Sequence, residues 1–162
     1  MKGRFHLPDS NHLLAAGMGA LLLVGGVAGA LPFSAPAAQA RTAKVKAAPN
    51  GHFIVRARIN GVRAEALIDT GASAVVIPYG KALRMRLHPR SMDFNVIVRT
   101  ANGKARAART ILRKVEIKGV VAHDVEALVM QKGALDKVLI GTSYLGKLRR
   151  YAVKDSVMRL EN

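Results

Sequence analysis

Apolar and polar residues nearly alternate along much of the chain that follows residue 51. In the stretch "HFIVRARI", residues 52–59, every second position is apolar, while Arg56 and Arg58 occupy positions between them. Such a period of two is typical of a strand with one buried face. Asn60-Gly61 follows, and this dipeptide favours a type I′ turn, in which both central residues need a positive φ. We therefore predict a hairpin with its return strand over residues 62–68.

Short apolar stretches separated by turn residues continue to the C-terminus. Short helices are predicted over residues 79–87 and 142–150, the second with Thr142 as its N-cap. About eight short strands in a body of roughly 110 residues predict an all-β barrel with one short C-terminal helix and one lobe per chain. The further strands are predicted over residues 74–77, 94–100, 105–117, 120–130 and 137–141, with a last hairpin over 151–160.

The first 40 residues have a different pattern. Lys2 and Arg4 precede an uncharged apolar run over residues 13–33, and Ala38-Gln39-Ala40 forms an A-x-A end. This order predicts a secretory signal peptide cleaved after Ala40. The run also approaches the length that spans a bilayer, so a retained inner-membrane anchor is an alternative, and a buried core helix is a third. Either of the first two places the body in the periplasm or at the outer side of the inner membrane.

The remainder divides into a polar linker over residues 41–51 and a folded domain over residues 52–162. Residues 41–162 carry 24 basic and 9 acidic side chains, and the whole chain has a formal net charge of +16. Such a charge favours anionic partners. No run of five or more basic residues occurs, so a solvated basic surface is the simpler interpretation.

Composition also excludes several kinds of chemistry. The chain has no Cys, which excludes disulfides, thiol catalysis and cysteine-based zinc sites. The histidines His52, His88 and His123 lie far apart, so we expect neither a metal nor another cofactor. The few aromatic residues form no clustered stacking platform, and no nucleic-acid partner is expected.

One carboxylate stands out in the stretch "EALIDTGASAVVIP", residues 65–78. Asp69 interrupts an apolar run, although burying an unpaired charge is costly. Gly71 permits close backbone approach and unusual dihedral angles, and the hydroxyls of Thr70 and Ser73 would keep the carboxylate ionised. The pattern predicts a rigid loop between two strands, with Asp69 either a catalytic group or a structural turn residue.

Three stretches together resemble the retropepsin-like aspartic proteases. They are "INGVRAEALIDTGASAVVIP" (59–78), "VRTANGKARAA" (98–108) and "VLIGTSYLGKL" (138–148). The chain is most similar to the bacterial single-domain group that carries an N-terminal export segment, and the resemblance covers residues 52–161. It implies a closed acid-protease barrel. Two departures are that Thr142 is mildly atypical and that the flap stretch has no aromatic residue.

The resemblance also implies a role for particular residues. Asp69 would be catalytic, Thr70 would hydrogen-bond across a dimer axis, and Ser73 would bond the outer oxygen of its own carboxylate. Gly71 and Ala72 complete the active-site loop. The flap would comprise Thr100, Ala101, Asn102 and Gly103, with its tip at Asn102 and Gly103. Leu139, Ile140 and Gly141 would form the strand that passes behind the loop.

Hydrolysis by this chemistry needs two carboxylates, one to take a proton from water and one to give a proton. The other aspartates of the body, Asp93, Asp124, Asp136 and Asp155, lack the following Thr/Ser-Gly. We therefore predict a homodimer in which each subunit supplies one Asp69 and which cleaves a peptide or protein substrate. By resemblance, strands near the termini would close this dimer, with residues 151–161 as candidates.

A second interpretation stays open. The chain could be a non-catalytic exported β-barrel module that binds peptides or anionic envelope polymers, with Asp69 as a turn residue only. The basic composition favours it, whereas the intact D-T-G-A-S loop favours the protease.

Overall fold

The computed structural model describes residues 41–100 and 103–162, which form ten strands, two short α-helices and one 3₁₀ turn. The all-β prediction is confirmed. The helices are α1 (Tyr79–Arg84) and α2 (Thr142–Leu145), and the 3₁₀ turn is Pro89–Ser91. The strands are β1 (Thr42–Lys46), β2 (Phe53–Ile59), β3 (Val62–Ile68), β4 (Val75–Ile77), β5 (Val96–Thr100), β6 (Gly103–Ile117), β7 (Val120–Met130), β8 (Val138–Ile140), β9 (Arg150–Lys154) and β10 (Val157–Glu161).

Six of these strands close into a barrel. Their order is β2-β3-β8-β4-β7-β6, and pairing of β2 with β6 closes the ring. The alternating pattern explains the core, because Val55, Ala57 and Ile59 of β2 are buried while the arginines between them are exposed. β5 pairs with the first part of β6 and extends the sheet beyond the ring. The closed barrel expected from the sequence is confirmed.

The tight turns follow their sequence signals. Asn60 and Gly61 have φ values of 47° and 87°, and Ile59 pairs with Val62 across them. Both central residues therefore have the left-handed conformation of a type I′ turn.

The turn between β5 and β6 differs from the expectation by one position. Thr100 pairs with Gly103, and the Thr100 hydroxyl donates to the Gly103 carbonyl at 2.9 Å. Gly103 is thus the first residue of β6 rather than a tip residue. Ala101 and Asn102, which join the two strands, lie outside the described residues.

Residues 41–51, expected as a linker, contain strand β1. It pairs antiparallel with β10, which pairs with β9, so the three form a second sheet. Ala43 and Val45 are buried between exposed neighbours, and this alternation within "TAKVK" is what makes it a strand.

The expected export segment, residues 1–40, lies outside the described residues. No helix in the described part of the chain is long and apolar enough to cross a membrane.

Candidate active site

Asp69 is the first residue after strand β3. β3 runs parallel to β8 with Ile68 opposite Ile140, and the Asp69 amide donates to the Ile140 carbonyl at 3.0 Å. The barrel therefore fixes the backbone of Asp69, and only the residues after it leave the sheet.

The loop then folds around its own carboxylate. The Gly71 amide donates to Asp69 Oδ1 at 2.8 Å. A Cβ at position 71 would lie 3.1 Å from the same oxygen, which is tighter than an ordinary contact. Gly71 does not have a left-handed φ, so the glycine permits close approach rather than the unusual dihedral angles that we expected. Asp69 is partly buried, whereas Thr70 and Ser73 are exposed.

The start of α2 holds the far side of this loop. The Thr142 amide donates to the Ala72 carbonyl at 2.8 Å, and the Ser143 amide donates to the Ser73 carbonyl at 3.1 Å. The Thr142 hydroxyl also donates to the Ser73 carbonyl at 3.1 Å. The prediction of Thr142 as N-cap is wrong, because Gly141 has that position and makes no side-chain cap. The hydroxyl of Thr142 bonds the Asp69 loop instead.

Gly141 lies directly behind the loop. A Cβ there would be 2.2 Å from the Ala74 carbonyl oxygen and 2.5 Å from that of Ala72. Both contacts are with backbone atoms, which cannot shift as easily as the end of a flexible side chain. Position 141 therefore accepts only glycine without a shift of the loop.

Ser143 is a structural residue that the sequence analysis missed. Its hydroxyl accepts from the Val75 amide at 3.0 Å and donates to the Glu126 carbonyl at 2.8 Å. It thereby bonds the start of β4 to β7, just beyond the Asp69 loop. A serine at the second position of a short helix carries no sequence signal for this contact.

A cleft of about 470 Å³ opens beside Asp69. The loop contributes Asp69, Gly71, Ala72, Ser73 and Ala74 to its lining, and strand β5 contributes Val98, Arg99 and Thr100. The remainder is apolar and comes from the barrel and the segment before β8: Val76, Leu128, Met130, Ala134, Leu135 and Leu139.

The cleft unites part of the predicted site. Asp69, Gly71, Ala72, Ser73, Thr100 and Leu139 line it, while Ile140 and Gly141 lie buried behind the loop. Thr70 is exposed and does not line the cleft. The apolar side chains of Leu128 and Met130 in β7 and of Leu135 before β8 were not predicted to line the cleft, since an apolar residue has the same sequence signature whether it faces a core or a cleft.

Among the described residues, Asp69 is the only carboxylate that lines this cleft. Arg99 is the only basic lining residue there. Within residues 41–100 and 103–162, no group of three or more His, Asp and Glu side chains could hold a metal ion. One chain thus presents a single carboxylate beside an apolar groove of a size that suits peptide side chains.

The family model described as "gag-polyprotein putative aspartyl protease" matches residues 55–147. An uncharacterized protein from Sinorhizobium sp., encoded in the cobV 5′ region, is 36% identical over 113 residues, which is 70% of this chain and 48% of the relative. An uncharacterized protein from Rickettsia prowazekii is 28% identical over 115 residues, 68% of this chain and 47% of the relative. The chain thus spans about half the length of these curated relatives.

Solved structures show the same fold. A retropepsin-like aspartic protease from Rickettsia conorii superposes with a TM-score of 0.68 at 24% identity, covering 76% of this chain and 92% of that one. The EIAV protease in complex with an inhibitor gives 0.52 at 19% identity, covering 64% and 93%. The barrel therefore has a fold that is shared with these proteases.

Proposed function

Since this chain belongs to the gag-polyprotein aspartyl protease family and has a retropepsin-like fold, we propose that it is an aspartic endopeptidase of two identical subunits. Each subunit would supply one Asp69. The observation that carries the proposal is the position of Asp69, held on the barrel by the Ile140 carbonyl at the end of an apolar cleft that the flap strand borders.

The chemistry follows from the pairing of two equal carboxylates. Two such groups in contact do not both ionise, so they share one proton. The ionised member takes a proton from a water molecule, which attacks the carbonyl carbon of the scissile amide. The protonated member then gives its proton to the leaving nitrogen. No covalent intermediate forms, and the dyad returns to its single-proton state when the products leave.

The cleft suggests how a substrate would lie. An extended peptide could hydrogen-bond to flap backbone near Thr100 while its side chains occupy the groove lined by Leu128, Met130 and Leu135. Arg99 at the rim would favour an acidic or C-terminal group nearby. The proposed substrate is therefore a peptide segment with apolar side chains next to the scissile bond.

The test is Asp69→Asn in the full-length chain, assayed against a library of fluorogenic peptides over a range of pH and protein concentration. Asn cannot act as a base, so cleavage should fall at least about a hundredfold. Asp124→Asn is the matched control, because Asp124 is exposed on β7 and does not line the cleft. Equal cleavage by the Asp69→Asn variant, or none by the wild type under any condition, would refute the proposal.

For cellular location, we propose that the body functions outside the cytoplasm, in the periplasm or at the inner membrane. The support is the basic, apolar, A-x-A order of residues 1–40. Fractionation of cells followed by protease treatment of spheroplasts would test it. Protection of the body from added protease would contradict export, and the length of the recovered chain would show whether residues 1–40 are retained.

One observation favours the second candidate function, binding of anionic polymers. The solvent face of the sheet β1-β10-β9 carries one carboxylate, Glu161, and five cations: Lys44, Lys46, Arg150, Lys154 and Arg159. Such a face attracts polyanions. If this were the whole function, Lys46→Glu would abolish polyanion binding while Asp69→Asn changed no measurable activity.

A further inference from the structure

The start of strand β6 extends past the edge of the barrel. Ala107 pairs with Met130 of β7 and with Val96 of β5. Within the described chain, residues 103–106 have a ladder partner in β5 but none in β7. The hairpin formed by β5 and the start of β6 therefore leaves the barrel at Ala107, which is its base.

This hairpin, residues 96–100 and 103–107, borders the cleft, and we call it the cleft hairpin. Its partly buried apolar side chains are Val96, Val98 and Ala105, and they pack against the cluster of Val76, Ala107, Leu128 and Met130. Apolar attraction is non-directional, so it draws the hairpin to the cleft wall without fixing where along that wall the hairpin lies.

Gln131 bonds both backbone groups of Arg106, one residue beyond the base of the hairpin. The Gln131 amide donates to the Arg106 carbonyl at 2.9 Å, and the Arg106 amide donates to Gln131 Oε1 at 3.2 Å. The main chain and the side chain of one residue thus replace the ladder pair that β7 does not supply there. Hydrogen bonds are directional, so these two hold the base of the hairpin in one position relative to β7.

Three parts of the cleft lining are connected through Gln131. It directly follows Met130, whose side chain lines the cleft at the end of β7. Its carbonyl accepts from the Ala134 amide at 3.2 Å, in a turn that leads to the lining residues Ala134 and Leu135. Through Arg106 it also holds the cleft hairpin. A shift at Gln131 would therefore change how these parts of the cleft lie relative to one another.

Asn60 makes the same pair of bonds elsewhere on β6. Its amide donates to the Lys114 carbonyl at 2.9 Å, and the Lys114 amide donates to Asn60 Oδ1 at 3.2 Å. Asn60 follows the last residue of β2, as Gln131 follows the last residue of β7. Neither Asn60 nor Lys114 lines the cleft. The chain therefore contains a matched arrangement that serves the barrel alone.

We propose that Gln131 is a positioning residue, whose side-chain oxygen holds the cleft hairpin in place to receive an extended peptide. This rests on the proposed function, in which the substrate bonds to hairpin backbone near Thr100. Gln131 is not one of the described residues that line the cleft, so it acts through Arg106. A hairpin that is already held loses less conformational freedom when a peptide binds. Removing the oxygen should therefore weaken substrate binding and leave the chemical step nearly unchanged.

Two substitutions in the full-length chain test this kinetically. Gln131→Met keeps the length of the side chain and removes the acceptor, whereas Gln131→Glu keeps an acceptor oxygen. At protein concentrations where the rate per chain is constant, Gln131→Met should raise KM about three- to tenfold and change kcat less than about twofold. Gln131→Glu should stay within about twofold of wild type in both parameters.

A residue that only stabilised the fold would behave differently. Its loss would reduce the fraction of active protein, which lowers the apparent kcat and leaves KM unchanged. A lower kcat at an unchanged KM in Gln131→Met, or an equal rise of KM in Gln131→Glu, would overturn the positioning role.

Hydrogen exchange gives a readout that does not depend on catalysis. In Gln131→Met, the amides of Arg106 and of the paired residues Val98 and Ala105 should exchange at least about fivefold faster than in wild type. The amide of Val115, near the other end of β6, should keep its wild-type rate. Wild-type exchange rates throughout the cleft hairpin would contradict the proposal.

Asn60→Gly is the matched control. Glycine tolerates the φ of 47° at this position, and the substitution removes only the side-chain acceptor of Lys114. Because this bond is partly buried, Asn60→Gly should lower the thermal unfolding midpoint at least as much as Gln131→Met does. It should leave KM and exchange in the cleft hairpin at wild-type values. Equal changes in both variants would mean that Gln131 has no particular role at the cleft.

The outcomes separate the positioning role from the proposed function. If Asp69→Asn abolishes cleavage while Gln131→Met changes neither KM nor hairpin exchange, the protease stands and the role of Gln131 is wrong. If the wild type cleaves no peptide, the proposed function is wrong, and the exchange rates alone decide whether Gln131 holds the hairpin.

Discussion

The Asp69 loop is held from two sides, whereas strand β9 is held from one. Strand β8 bonds the loop through the Ile140 carbonyl, and α2 bonds it through the amides of Thr142 and Ser143. β9 makes its ladder with β10 and presents its other edge to solvent. The difference indicates that contacts within one chain fix the geometry of the Asp69 loop, whereas strand β9 is paired along one edge only among the described residues.

The two regions should therefore respond differently to substitution. Changes around the loop act on contacts within one chain, so they should lower the free energy of unfolding. Changes at exposed groups of the outer sheet, β1-β10-β9, should leave the free energy of unfolding nearly unchanged.

The largest expected effect is that of Gly141→Ala. The added Cβ would overlap the carbonyl oxygens of Ala74 and Ala72, and neither backbone segment can yield without moving the Asp69 loop. We expect a loss of about 3 kcal/mol or more in the free energy of unfolding, measured by urea denaturation, and loss of any peptide cleavage. Gly80→Ala is the control, because a Cβ at position 80 meets no atom within 4 Å. Similar stability of the two variants would show that the loop is not confined.

Much of this architecture could be predicted from the sequence. The alternation of apolar and polar residues predicted the barrel strands, and the Asn60-Gly61 dipeptide predicted a turn with two positive φ values. The D-T-G stretch located Asp69 at the end of a strand. These features depend on local backbone preferences and on apolar residues at every second position, and both can be read from a single sequence.

Other features depend on contacts between distant segments and have no local signal. The Thr142 hydroxyl bonds a carbonyl 69 residues away, although threonine at that position reads equally well as a helix cap. The lysines of β1 made this segment look like a polar linker, and its partner strand β10 lies at the other end of the sequence. Whether Leu128 and Met130 face the core or the cleft is likewise decided by the closure of the barrel.

An intermediate effect is expected for Ser143→Ala. It removes the acceptor for the Val75 amide, and Val75 is fully buried, so a backbone donor loses its partner away from water. Such a loss costs about 1–3 kcal/mol in the free energy of unfolding. Ser91→Ala removes an exposed hydroxyl that donates to the His88 carbonyl and should cost about 0.5 kcal/mol or less.

Hydrogen exchange would sharpen this result. In the Ser143→Ala variant, the exchange rate of the Val75 amide should rise above its wild-type value. This rise should be larger than that for the amides of the hairpin β9-β10. Equal acceleration throughout would mean that the bond contributes only to global stability and does not hold the loop locally.

The smallest effect should come from Glu161→Gln in strand β10. Glu161 pairs with Arg149 at 3.2 Å, but the Arg149 side chain is 66% exposed, so water and salt screen the attraction. We expect a change of about 0.5 kcal/mol or less in urea denaturation, with Glu65→Gln as an exposed control on β3. A double-mutant cycle with Arg149→Met isolates the pair itself. A coupling free energy above about 1.5 kcal/mol would mean that the outer sheet is held as firmly as the Asp69 loop, and the contrast between the two regions would then lie in the β9 edge alone.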